Sequence, residues 1–274
     1  MDRVEQEVGT QLHGIRQFLS DTVLQPLVSV ELEPAVVDMS TTAQQIVSRY
    51  RLAGRDQLAA HTARPIDEPS DLISLQLHES AVNNLVQRLG LDGETFDSAS
   101  LRQQLESVLG IRTATQEIAG DATFRFAKTG GVQAHFKNGE IVIELRLASL
   151  QLGKGKTWRN LVIETTYVPA YEGMRLVLTQ KDGIELSGKR LRLGDQIAIR
   201  AAFKVVLEPE VTIAMMPRVL ESRMGADALR IARLSIVDGW VGLAINENLN
   251  FRGGSAPSFA SEPAWPQRRS FPVR

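Results

Sequence analysis

The sequence predicts an α+β protein, in which a long, curved antiparallel meander sheet is wrapped around or covered by two or three helices and is preceded by an N-terminal amphipathic helix. Two observations carry this prediction. Over residues 122–245 apolar residues recur mostly at every second position, which is the period of a strand, and turn residues separate the runs. Over 80–89, 97–109 and 195–205 they recur every three or four positions, which is the period of a helix.

The chain is organised around residues 71–89, where a strand is predicted to pass directly into a helix. The first half alternates between apolar and polar side chains, as a half-buried strand does. Its apolar members are Ile73, Leu75 and Leu77. The second half has helical spacing, with Ser80 as the predicted N-cap and Gly90 as the residue that ends the helix.

Short turns are predicted between the later strands, and this makes the sheet an antiparallel meander. Asn138-Gly139 is the strongest two-residue hairpin signal. Asp238-Gly239 is predicted to join a final hairpin. Further turns are predicted at 153–155, 169–173 and 181–183.

The segment 62–70 carries prolines and small polar residues and is predicted to connect two parts of the chain. The first part, 1–62, is predicted to contain the amphipathic helix and strands packed on the main domain. The second part, 71–246, is the α+β sheet-and-helix domain. Residues 253–274 are rich in Pro, Ser and Gly and are predicted to form a disordered tail.

The composition excludes several classes of site. Lys and Arg number 31 against 32 Asp and Glu, so no bulk charge attracts nucleic acid, and the 5% of aromatic residues argue against a base-stacking surface. Without cysteine there is no disulfide and no thiolate chemistry. No apolar run approaches the roughly 18 residues of a transmembrane helix, and no signal core follows Met1. From these features alone we expect a soluble chain.

No catalytic motif is complete, so we expect no enzymatic activity, no cofactor and no metal. Gly155-Lys156-Thr157 matches the end of a phosphate-binding loop, but Leu150 occupies the position of its first glycine. His78 and Glu79 resemble an acid–base pair without a nucleophile. A carboxylate beside a helix start is also favoured electrostatically without any catalytic role.

The apolar strand faces exceed what two short helices would cover, which predicts a groove for a lipid, an acyl chain or another apolar ligand. The residues predicted to line it are Leu75, Leu77, Val82, Asn84, Leu85, Ile143, Leu145, Trp158, Ala201 and Val205. A basic cluster is predicted to contact a head group: Lys189, Arg190 and Arg192. Alternatively, the helices fill the groove, and the chain is a structural or protein-interaction domain without a ligand.

The order of elements over residues 72–245 resembles that of the tubular lipid-binding domains of bacterial envelope proteins. A short motif of alternating leucines, an acidic residue and an asparagine adds to the resemblance. The matching residues are Leu75, Leu77, Glu79, Asn84 and Leu85. The resemblance implies a curved sheet around a long helix, with a lipid as ligand. Residues 49–65 and 77–84 also resemble segments of large uncharacterised planctomycete proteins. This resemblance implies a fragment of a longer, exported bacterial protein, which would lie in the cell envelope.

Overall fold

A computed structural model of the protein describes residues 35–41, 46–53, 57–66, 71–97, 99–101, 103, 122–188, 191–204, 206–215, 225 and 227–248. Of these residues, 56% lie in strands and 15% in helices. The described strands form three antiparallel sheets rather than one. The predicted fold, a single meander sheet wrapped around or covered by helices, is therefore wrong, because the described chain is sheet-rich and divided among several sheets.

The strands are β1 (Ala35–Thr41), β2 (Ile46–Arg51), β3 (Ile73–His78), β4 (Thr95–Asp97), β5 (Ala122–Phe126), β6 (Val132–Lys137), β7 (Glu140–Leu152), β8 (Thr157–Glu172), β9 (Arg175–Ser187), β10 (Glu210–Ala214), β11 (Leu229–Val237) and β12 (Trp240–Glu247). The helices with both ends described are α1 (Glu79–Arg88) and α2 (Leu193–Phe203). Residues 99–101 are also helical. The predicted N-terminal helix and the predicted tail at 253–274 lie outside the described residues.

The largest sheet is built on β7, a strand of 13 residues. Its strand order is β10-β9-β8-β7-β5-β4, and β6 pairs with the first half of β7. The edge of β7 opposite β8 is thus shared by two strands, β6 and β5. The predicted hairpin at Asn138-Gly139 is confirmed between β6 and β7, where both residues have positive φ, 53° and 80°.

β8 and β9 are longer than the sequence predicts. Residues 169–172, predicted to be a loop, continue β8. Asp182 and Gly183 have positive φ, as predicted of a turn, but they lie within β9, where the pairing with β8 shifts register. A bulge and a hairpin turn both need residues that tolerate positive φ, so the local sequence does not distinguish them.

The main hydrophobic core lies between the large sheet, the inner face of α2 and the end of α1. Its buried members are Leu89, Leu91, Leu101, Phe124, Phe126, Leu145, Leu147, Leu150, Leu161, Ile163, Ile184, Ile199, Phe203 and Leu207. Asp195 was predicted to be the N-cap of α2, but the N-cap is Arg192 and the helix begins at Leu193. The Asp195 carboxylate lies in the first turn and accepts a hydrogen bond from the Arg192 backbone N–H. The helix contributes Ile199 and Phe203 to the core.

A second sheet has the strand order β11-β12-β3. The predicted hairpin at Asp238-Gly239 is confirmed, with both residues at positive φ. The predicted passage from strand to helix is also confirmed, because α1 begins directly after β3. Gly90, with φ 66°, follows the end of α1, as predicted.

The two-stranded sheet of β1 and β2 belongs to the first part of the chain. The segment that follows it contacts α1, because the Gln57 side chain donates to the backbone oxygen of Asn84 and to the side chain of Gln87. The predicted domain boundary near 62–70 stays a prediction. Among the described residues, no helix combines the length and the apolarity needed to cross a membrane.

Candidate functional site

His78, one of the two residues that resemble an acid–base pair, has its side chain buried at the junction of β3 and α1. The Ser80 backbone N–H donates to His78 Nδ1 at 3.0 Å. On the other side of the ring, Nε2 lies 3.1 Å from Thr62 Oγ1, and the Thr62 hydroxyl donates to the backbone oxygen of Asp238 at 2.6 Å. The imidazole therefore ties the segment 57–66 to the start of α1 and to the β11–β12 hairpin.

These contacts assign the tautomer of His78. Because Nδ1 accepts the Ser80 N–H, the ring proton lies on Nε2, and Nε2–H donates to Thr62 Oγ1. The Thr62 hydroxyl in turn donates a hydrogen bond to the Asp238 backbone oxygen, where the chain of hydrogen bonds ends. The Ser80 hydroxyl also lies 2.8 Å from Nδ1, but the lone pair there already accepts a backbone N–H. This arrangement holds a helix end and leaves no free base.

Two aromatic rings pack edge-on against the His78 imidazole. The ring centroid of Trp240 is 4.9 Å away, and that of His61 is 5.0 Å away. Burial lowers the pKa of His78 from its ordinary value, and the neighbouring His61 lowers it further, while Glu79 opposes both effects. The neutral imidazole favoured here is the form that can accept at Nδ1.

His78 is the N-cap of α1, a role that the sequence predicts for Ser80. An N-cap side chain accepts a hydrogen bond from a backbone N–H in the first turn. Serine, threonine, asparagine and aspartate usually supply the accepting atom. An imidazole nitrogen serves here instead, so the helix begins two residues earlier than predicted.

Glu79 joins α1 to β6 and to the β11–β12 hairpin. Its carboxylate accepts the Phe136 backbone N–H at 2.7 Å, and its own N–H donates to the Gly239 oxygen at 2.8 Å. The second carboxylate oxygen lies 3.9 Å from His135 Nδ1. Both members of the predicted acid–base pair are thus engaged in contacts within the fold.

The two asparagines of α1 also bond to backbone. Asn83 donates to the Ala134 oxygen at 2.9 Å and accepts the Ala134 N–H at 2.7 Å. Asn84, a predicted groove residue, is buried and donates to the backbone oxygens of Leu52 and Leu58, both at 2.9 Å. These amides fix the position of the helix between β6 and the chain that follows β2.

The other predicted groove residues are spread over different parts of the structure. Leu145 belongs to the main core, and Ile143 and Trp158 pack against that core. Val82 packs on a separate cluster of Ala134, Phe136 and Ile236. Leu75, Leu77 and Ala201 are exposed, and Leu85 is half-buried. The structure does not bring these side chains to one groove.

Val205 and two predicted head-group residues, Lys189 and Arg190, lie outside the described residues. Arg192 is exposed just before α2.

Two open clefts are present in the described part of the chain. The larger, about 350 Å³, is lined by Ala127, Lys128, Arg146, Leu147, Ala148, Asn160, Leu161 and Val162. The smaller, about 190 Å³, lies between α2 and β9 and is lined by Gln180, Ile184, Arg200, Ala201 and Lys204. Of the predicted groove residues that the structure describes, Ala201 lines the smaller cleft, and the others line neither.

The sequence did not single out Thr62 or Gln57, although both make side-chain bonds that hold the 57–66 segment to α1 and its surroundings. They lie in an irregular part of the chain, where no periodicity marks a residue as inward-facing. Their only available signal was a polar residue type, which is common on any surface.

Comparison with known proteins assigns the chain to no family. The chain matches no protein-family model and no curated protein sequence. Within the described residues, no group of three or more His, Asp or Glu side chains is placed to hold a metal ion. The function is therefore inferred from the surfaces and contacts of the chain itself.

Proposed function

We propose that this protein is a non-catalytic protein-interaction domain whose core is filled by its own side chains. The observation that carries the proposal is the position of the apolar face of β3. Ile73, Leu75 and Leu77 are 37%, 48% and 41% exposed, whereas the core residues of β7 and β8 are almost completely buried. Leu75 and Leu77, two of the residues predicted to line a groove, are therefore open to contact with a partner.

We call Ile73, Leu75 and Leu77 the β3 surface. Alternate residues of a strand share a face and rise about 6.6 Å per pair, so these three span about 13 Å. Ile73 and Leu75 pair with Ile245 and Leu243 of β12, which are buried. The same apolar face of the sheet is therefore buried at β12 and exposed at β3. A contiguous exposed apolar patch on a soluble protein commonly marks a binding site.

The chemistry of the β3 surface suits an apolar segment of a protein partner. Its three side chains are aliphatic, and no charged residue lies between Ile73 and Leu77. The intervening Gln76 belongs to the other face, where its amide donates to the Pro65 backbone oxygen. Hydrophobic contact, rather than attraction of an anion, is what this surface offers.

A non-catalytic role is supported by the bonding of His78 and Glu79. Both ring nitrogens of His78 have partners within the fold, and the Glu79 carboxylate accepts a strand N–H. A general base needs a free lone pair within reach of the proton that it removes.

A second candidate function is the binding of an apolar ligand such as an acyl chain. The observation that favours it is the larger open cleft, where Leu147, Leu161 and Val162 provide an apolar lining and Lys128 lies at the side. Each CH₂ group buried there would gain about 0.8 kcal/mol.

Native mass spectrometry, with organic extraction of anything bound, separates the two candidates. The protein is measured as purified and after incubation with phospholipid and with fatty acid. We expect no bound lipid mass that depends on the larger cleft. A reproducible lipid mass that disappears in Ala148→Trp, a variant that fills the larger cleft, would overturn the interaction proposal in favour of the ligand.

The β3 surface is tested by selection from a random-peptide display library. We expect enriched apolar peptides that bind the wild-type chain and not the double variant Leu75→Ser with Leu77→Ser. The matched control is Leu58→Ser with Ile66→Ser, which removes two aliphatic side chains that are 82% and 96% exposed elsewhere. No enrichment, or equal binding to the Leu75/Leu77 double variant, contradicts the proposal.

A further inference from the structure

The outward side of α2 carries aliphatic and basic side chains together. Residues at i, i+4, i+7, i+8 and i+11 lie on one side of a helix. Here they are Leu193, Ile197, Arg200, Ala201 and Lys204, and all are exposed. Leu193 and Ile197 are 72% and 59% exposed, while Ile199 and Phe203 on the inner side are buried in the core. We call the five outward residues the α2 face.

The charge around the α2 face is positive. Residues 191–204, which the structure describes, contain three Lys and Arg and one Asp, a net charge of +2, in a chain whose net charge is −1. The single acidic residue, Asp195, is paired with Lys156 at 2.7 Å. Arg192, Arg200 and Lys204 are exposed, so an approaching surface meets cations on and beside the helix.

The smaller cleft lies directly beside the α2 face. Arg200 and Lys204 form its helix side, and Gln180 and Ile184 of β9 form the other side. The Arg200 Nε–H donates to the Ile184 backbone oxygen at 2.9 Å, which holds the guanidinium at the cleft. A cleft of about 190 Å³ with two cations on one wall is suited to a phosphate-bearing head group.

We propose that the α2 face docks on an anionic phospholipid surface. Leu193 and Ile197 enter the boundary between head groups and acyl chains, and the long side chains of Arg200 and Lys204 extend toward lipid phosphates. A helix that lies in the plane of a membrane surface has this combination of exposed aliphatic residues and flanking cations. The apolar β3 surface has no such charge, so the two surfaces suit different partners.

The expected binding is reversible and depends on salt. A basic residue near an anionic membrane contributes about fivefold in affinity, so removal of two is expected to weaken binding about thirtyfold. Because this attraction acts within a Debye length, about 1 M NaCl, where that length is about 3 Å, should release most of the protein.

Co-sedimentation of the full chain with vesicles tests the proposal. The vesicles are phosphatidylcholine alone, or phosphatidylcholine with one third phosphatidylserine. We expect binding to the serine-containing vesicles and much weaker binding to the neutral ones. Arg192→Gln with Lys204→Gln should lose about thirtyfold, and Leu193→Ser with Ile197→Ser should also bind weakly. Arg200 is kept in both variants because it bonds to Ile184.

Matched controls separate the α2 face from general effects of charge and apolarity. Lys137→Gln with Arg230→Gln removes two exposed cations elsewhere, and Leu58→Ser with Ile66→Ser removes two exposed aliphatic side chains. Both controls should bind as the wild type does, and circular dichroism checks that every variant is folded.

Three results would overturn the proposal: equal binding to neutral and anionic vesicles, no binding to either, or equal losses in the controls. A fourth would also do so, namely a change of oligomeric state in the Leu193/Ile197 variant without an effect on vesicle binding, because the α2 face would then be an interface between copies. The Leu75/Leu77 double variant should bind vesicles normally, so this result is independent of the proposed protein-interaction function.

Discussion

Replacement of His78 by alanine is expected to lower the free energy of unfolding by about 3 kcal/mol. Loss of the N-cap to the Ser80 N–H costs about 1 kcal/mol. Loss of the hydrogen bond to Thr62 costs about 1 kcal/mol, and loss of edge-on packing against Trp240 costs about another 1 kcal/mol. Each contact is observed in the structure. Urea denaturation, followed by tryptophan fluorescence, measures the change.

His78→Asn is the matched variant, because asparagine is a good N-cap but is too short to replace the ring elsewhere. It should recover about 1 kcal/mol of the loss seen with alanine. If His78→Ala unfolds at the wild-type urea concentration, or if asparagine is no better than alanine, His78 is not the cap that stabilises α1.

The same residue predicts a pH dependence of stability. The folded-state pKa of His78 lies below its unfolded value, so its contribution is fully present above the unfolded pKa of about 6.5 and is lost as the pH falls through the folded pKa. As the pH is lowered from about 6.5 through the folded-state pKa of His78, the urea midpoint of the wild type should fall. His78→Asn should show a smaller fall of the urea midpoint. If the midpoint of this variant depends on pH as steeply as that of the wild type does, the assignment of a neutral His78 ring is contradicted.

Three further predictions concern single residues. Asn84→Ala removes a buried amide that bonds two backbone oxygens and should cost about 2–3 kcal/mol in urea denaturation, whereas a loss below about 0.5 kcal/mol would show that water replaces it. Gly239→Ala should cost about 1–2 kcal/mol, because φ is +84° and the new Cβ would lie 3.0 Å from His78 Nε2; a neutral effect would argue against this turn. The pKa of Tyr167 is raised to about 12 by burial and by Glu208, so one phenol absorbance step near that pH should vanish in Tyr167→Phe.

Local features of the fold were predictable because their signals are local. Asn138-Gly139 and Asp238-Gly239 form hairpin turns since both positions need positive φ, which asparagine, aspartate and glycine tolerate. The passage from β3 into α1 was visible in the change of period near Ser80, and Gly90 marked the end of the helix. These patterns need no knowledge of distant parts of the chain.

The sequence could not show in the same way which strand faces are buried by other elements and which are exposed. The alternation of Ile73, Leu75 and Leu77 shows that these residues share a face, but the same pattern suits a face covered by a helix or one open to a partner. The pairing of β3 with β12 decides their exposure, and it links distant parts of the sequence. Likewise, Asp182-Gly183 could form a turn or a bulge, and the neighbouring strand β8 determined which.

The candidate site was predicted in its residue types but not in its arrangement. His78 and Glu79 were singled out, and both are engaged, but their partners Thr62, Asp238 and Phe136 come from three separate parts of the chain. Hydrogen bonds across such separations depend on the assembled fold, and a sequence pattern of short period carries no information about them.

The pairing of β3 with β12 has a consequence for synthesis on the ribosome. The Leu72 backbone N–H donates to the Asn246 side chain, 174 residues further along the chain. β3 therefore emerges long before its neighbour in the three-stranded sheet, and closing so large a loop makes this sheet a late step of folding. Until β12 is made, β3 has no neighbouring strand on that edge, and its apolar face is exposed to non-native association.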